Sequence, residues 1–456
     1  MLQADRGLVE WVCERAAANH SPSRCSGCNW FHLRELTPNV TAGRLPTPEC
    51  STVRPRLAWF MCITPATDAL SLKHLEYAKA AIVSARINAP TLAPYIVLIA
   101  HDDAELSSTI TAAEFDEANS RFRSWLRTAG VRLLPHRLSF YDQLPMKSRA
   151  RRTSTNPNLN VGAFGRLDMG IIVDAIRNEL FVRGLDIERI LYTDTDVLFS
   201  RDVEYDSLAA LPLPTFAAGT EVFSPALNTG VMLINASAWL LHYAAMMEYG
   251  QRRRFRFLSY DQTWVQQYFK WFASRAGWAR GWETLDDAAY NARAFMHPIR
   301  PSRRRQPVLP RLWHWHGFKP RDVECWHRAI HTGTWPVRAW RNTVPGCTGK
   351  TRPRCIFMPV HNSGCRYFGR LTAVLGLTPC YLRTYTYLLQ QHRKMMSIAH
   401  DLEQALNVGL SDSERDCEWR AAARVAIWEN KWSRGGTKAL SSPPVIRRTS
   451  GGSRQL

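Results

Sequence analysis

Short apolar runs bounded by turn residues alternate with helix-period segments between residues 55 and 330. No other feature constrains the fold as much. Residues 57–64 (LAWFMCIT) form an apolar run stopped by Pro65, which reads as a strand. Residues 69–86 follow, with Leu72, Leu75, Ala78, Ile82 and Val83 at helical spacing. Residues 95–100 (YIVLIA) read as a second strand. Residues 112–127 read as a helix with Phe115, Ala118, Phe122 and Trp125 on one face. A third strand at 131–134, a helix at 164–181 and a fourth strand at 189–193 (RILYT) complete the series. Strand and helix in turn imply βαβ units, hence a parallel sheet covered by helices. Ligands of such sheets bind beyond the carboxyl ends of strands, so chemistry is expected directly after a strand.

The 456 residues carry 59 Lys+Arg against 39 Asp+Glu, a net charge of +20, with 45% apolar and 21% charged residues. These proportions exclude wholesale disorder and a fibrous repeat. No apolar run approaches the ~18 residues of a membrane span. The expected organisation is an N-terminal extension or stem (1–54), one large α/β domain (55–330), a cysteine-containing, partly helical C-terminal region (331–430) and a disordered basic tail (431–456). In the C-terminal region, residues 381–406 read as a helix whose apolar side chains pack, Leu388, Leu389 and Met395 among them. The charge excess favours a polyanionic partner or an arginine-rich solvated surface; the arginine runs at 149–152, 252–256 and 303–305 do not share one periodic face. Five of eleven cysteines (Cys325, Cys347, Cys355, Cys365 and Cys380) fall in one stretch, which reads as a disulfide framework and a secretory compartment. Against that, the first residues show no charged-then-apolar leader. Asn235 opens a glycosylation triplet, but within an element read as buried.

The chemistry lies where the alternation puts it. The strand RILYT runs into Asp194-Thr195-Asp196, two carboxylates one residue apart. On a turning backbone such a pair can face one cation, and oxygen ligands suit Mg²⁺ or Mn²⁺. Alone the tripeptide reads more readily as a turn whose Asp bonds its own backbone. Three further segments follow in order. Asn228-Thr229-Gly230 is a polar turn feeding a buried strand, and Asp261-Gln262 opens a helix, where an N-cap is the simpler reading. Trp313-His314-Trp315-His316-Gly317-Phe318-Lys319-Pro320 gathers two imidazoles, a glycine and a lysine. Imidazole can ligate a metal, glycine permits close backbone approach to a phosphate, and lysine adds a point charge.

This set, in this order, resembles the family-8 retaining glycosyltransferases of the GT-A fold, the family of glycogenin and the bacterial lipopolysaccharide galactosyltransferases. The likeness covers residues 55–330. It implies a Rossmann-like, mixed and mainly parallel sheet with helices on both faces. It also implies a nucleotide diphosphate sugar as donor, a UDP-sugar by preference, and Mn²⁺ or Mg²⁺ as cofactor. Asp194, Asp196 and either His314 or His316 would hold the metal. Arg166, Asp194, Thr195, Asn228, Gly317 and Lys319 would contact the donor, and Asp261 and Gln262 would lie beside the reacting carbon as the catalytic pair. Two departures stand out. Gly317 and Lys319 are two residues apart where the family has three, and the first strand ends in Thr64-Pro65 rather than acids, leaving Asp68 and Asp102-Asp103 as substitutes.

The expectation is a glycosyltransferase of the Golgi lumen or another secretory compartment. Its acceptor would be a glycan, protein or lipid, an acidic one being favoured by the net charge, with no nucleic acid as partner. Three alternatives remain: a polyanion- or nucleic-acid-binding protein, a metal-dependent phosphohydrolase, and a transferase-like protein that binds donor without turnover.

Overall fold

The structure is a computed structural model that describes residues 54–66, 69–99, 113–144, 157–221, 227–255, 260–277, 281–293, 310–315, 319–320, 323–324 and 378–405. Several expectations fall outside those residues: nearly all of the N-terminal extension, Asp68, Asp102-Asp103, His316, Gly317, four of the five clustered cysteines, the side chain of Cys380, and the basic tail.

The first strand, β1 (Leu57–Ile63), is buried along its whole length. Its residues alternate between two cores. Leu57, Trp59, Met61 and Ile63 join one apolar layer, while Ala58, Phe60 and Cys62 join the other. A continuous apolar run is what a strand covered on both faces requires. Helix α1 (Ala69–Asn88) crosses to β2 (Leu92–Ile99), and α2 (Ala113–Thr128) crosses to β3 (Arg132–His136). Both connections join parallel pairs. Strand β2 starts three residues before the sequence reading places it and passes through Pro94. Pairing with β3 begins only at Tyr95, so the missing Pro94 N–H costs no bond on that side.

The single helix expected over 164–181 is several short pieces: α3 (Pro157–Phe164), a 3₁₀ turn at Gly165–Asp168, α4 (Met169–Ala175) and α5 (Arg177–Val182). Close packing explains the breaks. A Cβ on Gly165 would meet Cys62 of β1. Strand β4 (Arg189–Thr193) has the expected bounds and lies parallel to β1. Next come β5 (Val197–Phe199), α6 (Tyr205–Ala209), β6 (Phe216–Thr220) and β7 (Leu227–Asn235). Asn228-Thr229-Gly230 is thus the opening of β7 itself rather than a turn before it, opposite a bulge between Ala218 and Gly219. Asn235 ends the strand and caps α7 (Ala236–Arg252), its side chain accepting from the Ala238 N–H at 3.1 Å. Helix α8 (Tyr260–Ala276), β8 (Glu283–Thr284), α9 (Asp287–Tyr290), β9 (Leu312–His314) and α10 (Thr378–Ala405) follow.

The sheet order is β3-β2-β1-β4-β7-β6-β8. Strand β7 is antiparallel to both neighbours, and the other pairs are parallel. This is the mixed, mainly parallel sheet with helices on both faces that the resemblance implies. A separate antiparallel pair, β5 with β9, carries His314 opposite Val197. Helix α10 joins the core of the sheet domain. Leu388, Leu389 and Ile398 are buried with α1 and α2, and the Trp125 indole donates to the Ala399 carbonyl at 3.2 Å.

Candidate active site

The turn between β4 and β5 is hooked on both sides. The Asp194 N–H donates to the Gly230 carbonyl of β7 at 2.8 Å, and the Trp315 N–H donates to the Asp196 carbonyl at 2.9 Å. Two backbone bonds, one to β7 and one to the residue after β9, thus fix both aspartates at the carboxyl end of β4, where such sheets place ligands. Asp196 is buried and Asp194 is one-third exposed.

His314, at the end of β9, turns Nε2 to 3.7 Å from Asp196 Oδ1 and 3.9 Å from Asp194 Oδ2. Its Nδ1 faces Asn291 Oδ1 at 3.0 Å. The Asn291 amide nitrogen donates elsewhere, to Asn228 Oδ1 at 3.2 Å and Asp287 Oδ1 at 3.3 Å. The amide oxygen therefore faces the imidazole, which assigns the proton to Nδ1 and points the Nε2 lone pair at the carboxylates. A metal-binding histidine is held in this way. Gly230 makes the arrangement possible, because a Cβ there would collide with the His314 ring. Of the two candidate histidines, the structure brings His314 to the aspartates.

Arg166 comes from the 3₁₀ turn and is buried beneath the pair. Its Nη2 donates to Asp194 Oδ1 at 2.6 Å, its Nε lies 3.0 Å from Asp261 Oδ2, and its Nη1 donates to the Thr229 carbonyl. The guanidinium also stacks 4.8 Å above the Tyr192 ring. Burial opposes its charge, but Asp194 and Asp261 outweigh burial and raise its pKa. Asp261, in the first turn of α8, accepts from the Thr229 hydroxyl at 3.1 Å. Its carboxyl is pushed up to about 6, chiefly by burial and further by Asp194, against the pull of Arg166. Burial likewise pushes the Cys62 thiol and the Tyr192 phenol up.

Gln262 donates through Nε2 to Glu221 Oε2 at 3.1 Å, and Asn228 donates to the same oxygen at 3.0 Å. Lys319 contacts Asp196 Oδ2 and donates to the Trp315 carbonyl at 2.8 Å. The Thr195 hydroxyl lies 3.3 Å from His74 Nδ1. The predicted residues that are described therefore form one connected cluster. The structure adds residues the sequence reading missed: Asn291 behind His314, Glu221 between Asn228 and Gln262, Asp287 on Asn291, and His74 against Thr195. Buried Arg293 donates to the Thr220 carbonyl at 2.6 Å and lies 3.4 Å from Asp287. The one sequence signal was the polar spacing Asp287, Asn291, Arg293 around a four-residue helix.

Asp194, Asp196 and His314 are the one group of three or more potential ligands among the described residues, their ligand atoms all within 4.8 Å of one another. Two carboxylates and an imidazole suit a divalent ion that accepts oxygen and nitrogen, Mn²⁺ more readily than Mg²⁺. The donor set and the Asn291 bond behind His314 therefore fit the implied metal.

No family model matches the chain, and no curated protein matches it in sequence. Among solved structures it is similar to the glycosyltransferase GlyE of Streptococcus pneumoniae TIGR4, at 17% identity over 58% of this chain and 56% of that one, TM-score 0.35. The match thus spans little more than half the length of GlyE. It is similar to the galactosyltransferase LgtC solved with donor and acceptor sugar analogs, at 17% identity over 64% of this chain and 98% of that one, TM-score 0.38. Mouse xyloside xylosyltransferase 1 is similar at 13% identity over 58% and 98%, TM-score 0.33.

Proposed function

We propose that the chain is a metal-dependent glycosyltransferase that moves a sugar from a nucleoside diphosphate sugar to a glycan, protein or lipid acceptor, with retention at the anomeric carbon. The observation that carries this reading is the convergence of Asp194, Asp196 and His314, with Arg166 and Lys319 flanking them and Asp261 behind, at the carboxyl end of β4. A nucleic-acid binder has no use for such a cluster. A two-metal phosphohydrolase would want more ligands than these three.

When bound, the divalent cation would supply positive charge to the diphosphate leaving group. Asp194, Asp196 and His314 would hold it. Lys319 would add a mobile cation on the phosphate side. Arg166 bridges Asp194 and Asp261 and draws the Asp261 carboxyl down against its burial. Gln262, turned by Glu221, would present its amide oxygen to the sugar, Asn228 would hold Glu221 and Asn291 in place, and Asp261 would lie on the sugar's far side. The cysteine run at 325–380 supports a secretory compartment, the Golgi lumen by preference; no helix among the described residues is long and apolar enough to cross a membrane.

The test is hydrolysis and binding of a panel of nucleotide sugars, with Mn²⁺ and with chelator, comparing wild type with Asp196→Ala. Nucleotide diphosphate release that needs Mn²⁺ and is lost in the variant is the expected result, and it names the donor. A folded protein that binds no donor with Mn²⁺ present would overturn the reading in favour of polyanion binding.

A further inference from the structure

Each aspartate of the motif divides its carboxylate between a basic side chain and His314. Asp194 gives Oδ1 to Arg166 and turns Oδ2 toward His314. Asp196 turns Oδ1 toward His314 and gives Oδ2 to Lys319. A divalent cation at the three ligand atoms would therefore sit between two side-chain cations.

The two cations differ in freedom. Arg166 is 3% exposed and is tied to Asp194, Asp261 and the carbonyls of Ala163 and Thr229. It cannot step aside without leaving the buried Asp261 carboxylate without its cation. Lys319 is 37% exposed and reaches Asp196 on a flexible four-carbon stem. Its ammonium can exchange Asp196 for another anion once a cation takes its place there.

We propose that Lys319 stands in for the metal at Asp196, so that the metal and the donor's diphosphate bind tightly only together. The inference rests on the transferase reading of the site. Without a diphosphate, an incoming cation must displace the Lys319 ammonium from Asp196 or tolerate it nearby. A diphosphate offers that ammonium a second partner and frees Asp196 Oδ2. Whatever factor the diphosphate adds to metal affinity, the metal must add to diphosphate affinity. Lys319 is thus a positioning residue that sets binding order and keeps a bare metal site from filling.

The test is Mn²⁺ binding to the full chain, followed by the electron paramagnetic resonance signal of free Mn²⁺, with and without UDP as the diphosphate probe. Wild type should bind Mn²⁺ weakly alone and at least tenfold more tightly with UDP. Lys319→Met should bind Mn²⁺ alone about tenfold more tightly than wild type and lose most of the gain from UDP. Lys319→Arg, which keeps the charge, should bind Mn²⁺ alone as weakly as wild type; this separates charge from packing. Equal Mn²⁺ affinity in wild type and Lys319→Met without UDP, while Asp196→Asn still abolishes binding, would overturn the proposal and leave the metal site standing. Mn²⁺ binding that is absent from folded wild type with UDP and from Lys319→Met would overturn both.

Discussion

Asp261 is ionised at neutral pH against its surroundings. Its ordinary pKa is 3.8, and in the folded chain burial raises it to about 6. A raised folded-state pKa means that the native state holds the proton more tightly than the unfolded chain. The stabilisation this gives is complete below about pH 4 and is lost as pH rises through about 6. A shift of this size corresponds to about 3 kcal/mol. Asp261→Asn removes the titration, so urea denaturation should show the variant gaining about 2 kcal/mol on wild type between pH 4 and pH 7; a constant difference would count against the burial. Gly230 is the second sensitive point, because a Cβ there meets the His314 ring that Asn291 backs. Gly230→Ala should keep the fold and lower Mn²⁺ affinity in the presence of UDP by ten- to hundredfold, the scale of losing a ligand's orientation, as read by calorimetry. At this scale the sequence was partly legible. Asp194 and Asp196 announce themselves because only Thr195 separates them and they follow an apolar strand. Glu221 does not, and Asn291 shows only through its polar spacing with Asp287 and Arg293; both acquire their partners only when β6, β7 and β9 meet.

The elements were legible where one force dominated. Strand β4 matched residue for residue because its apolar run is bounded by charge at both ends. Residues 164–181 read as one helix because their apolar spacing continues past Gly165 and Gly170. Those glycines are there for close contact, Gly165 with Cys62 and Gly170 with Leu240 of α7, and the chain bends to make it. Helix α10 shows the converse error. Its apolar residues were read correctly as packing, but nothing local names the partner. The structure supplies it: Leu388 is fully buried in the layer that holds α1, and the rings of Tyr385 and His392 lie against Trp315, next to His314. Burial there also pushes the His392 imidazole down to about 4, with Lys73 and Arg393 adding to the shift. An α10 that is part of the core should behave as core. Leu388→Ala is expected to cost about 2–5 kcal/mol by urea denaturation, and a loss under ~1 kcal/mol, the range of surface substitutions, would mean that α10 is an appendage.

At the scale of the whole molecule, one sheet with two apolar layers positions a site whose parts are far apart in the chain. Lys319 meets Asp196 across 123 residues, and Asn291 meets Asn228 across 63. A ligand that bridges such parts binds the native state and not the unfolded chain, which scatters them. It must then stabilise by mass action, by about 2.7 kcal/mol at one hundred times its dissociation constant. For a domain of this size each kcal/mol moves Tm by about 2–4 °C, so saturating Mn²⁺ with UDP should raise Tm by about 5–10 °C. Mn²⁺ alone should shift it far less, because Lys319 already holds Asp196, and Asp196→Asn should abolish the shift. The net charge of +20 sets the competing outcome. An anion held by a basic surface needs no metal and is screened over about 3 Å at 1 M salt. A Tm rise with UDP that persists in chelator and vanishes at high salt would place the ligand on that surface; one that requires Mn²⁺ and Asp196 places it at the end of β4.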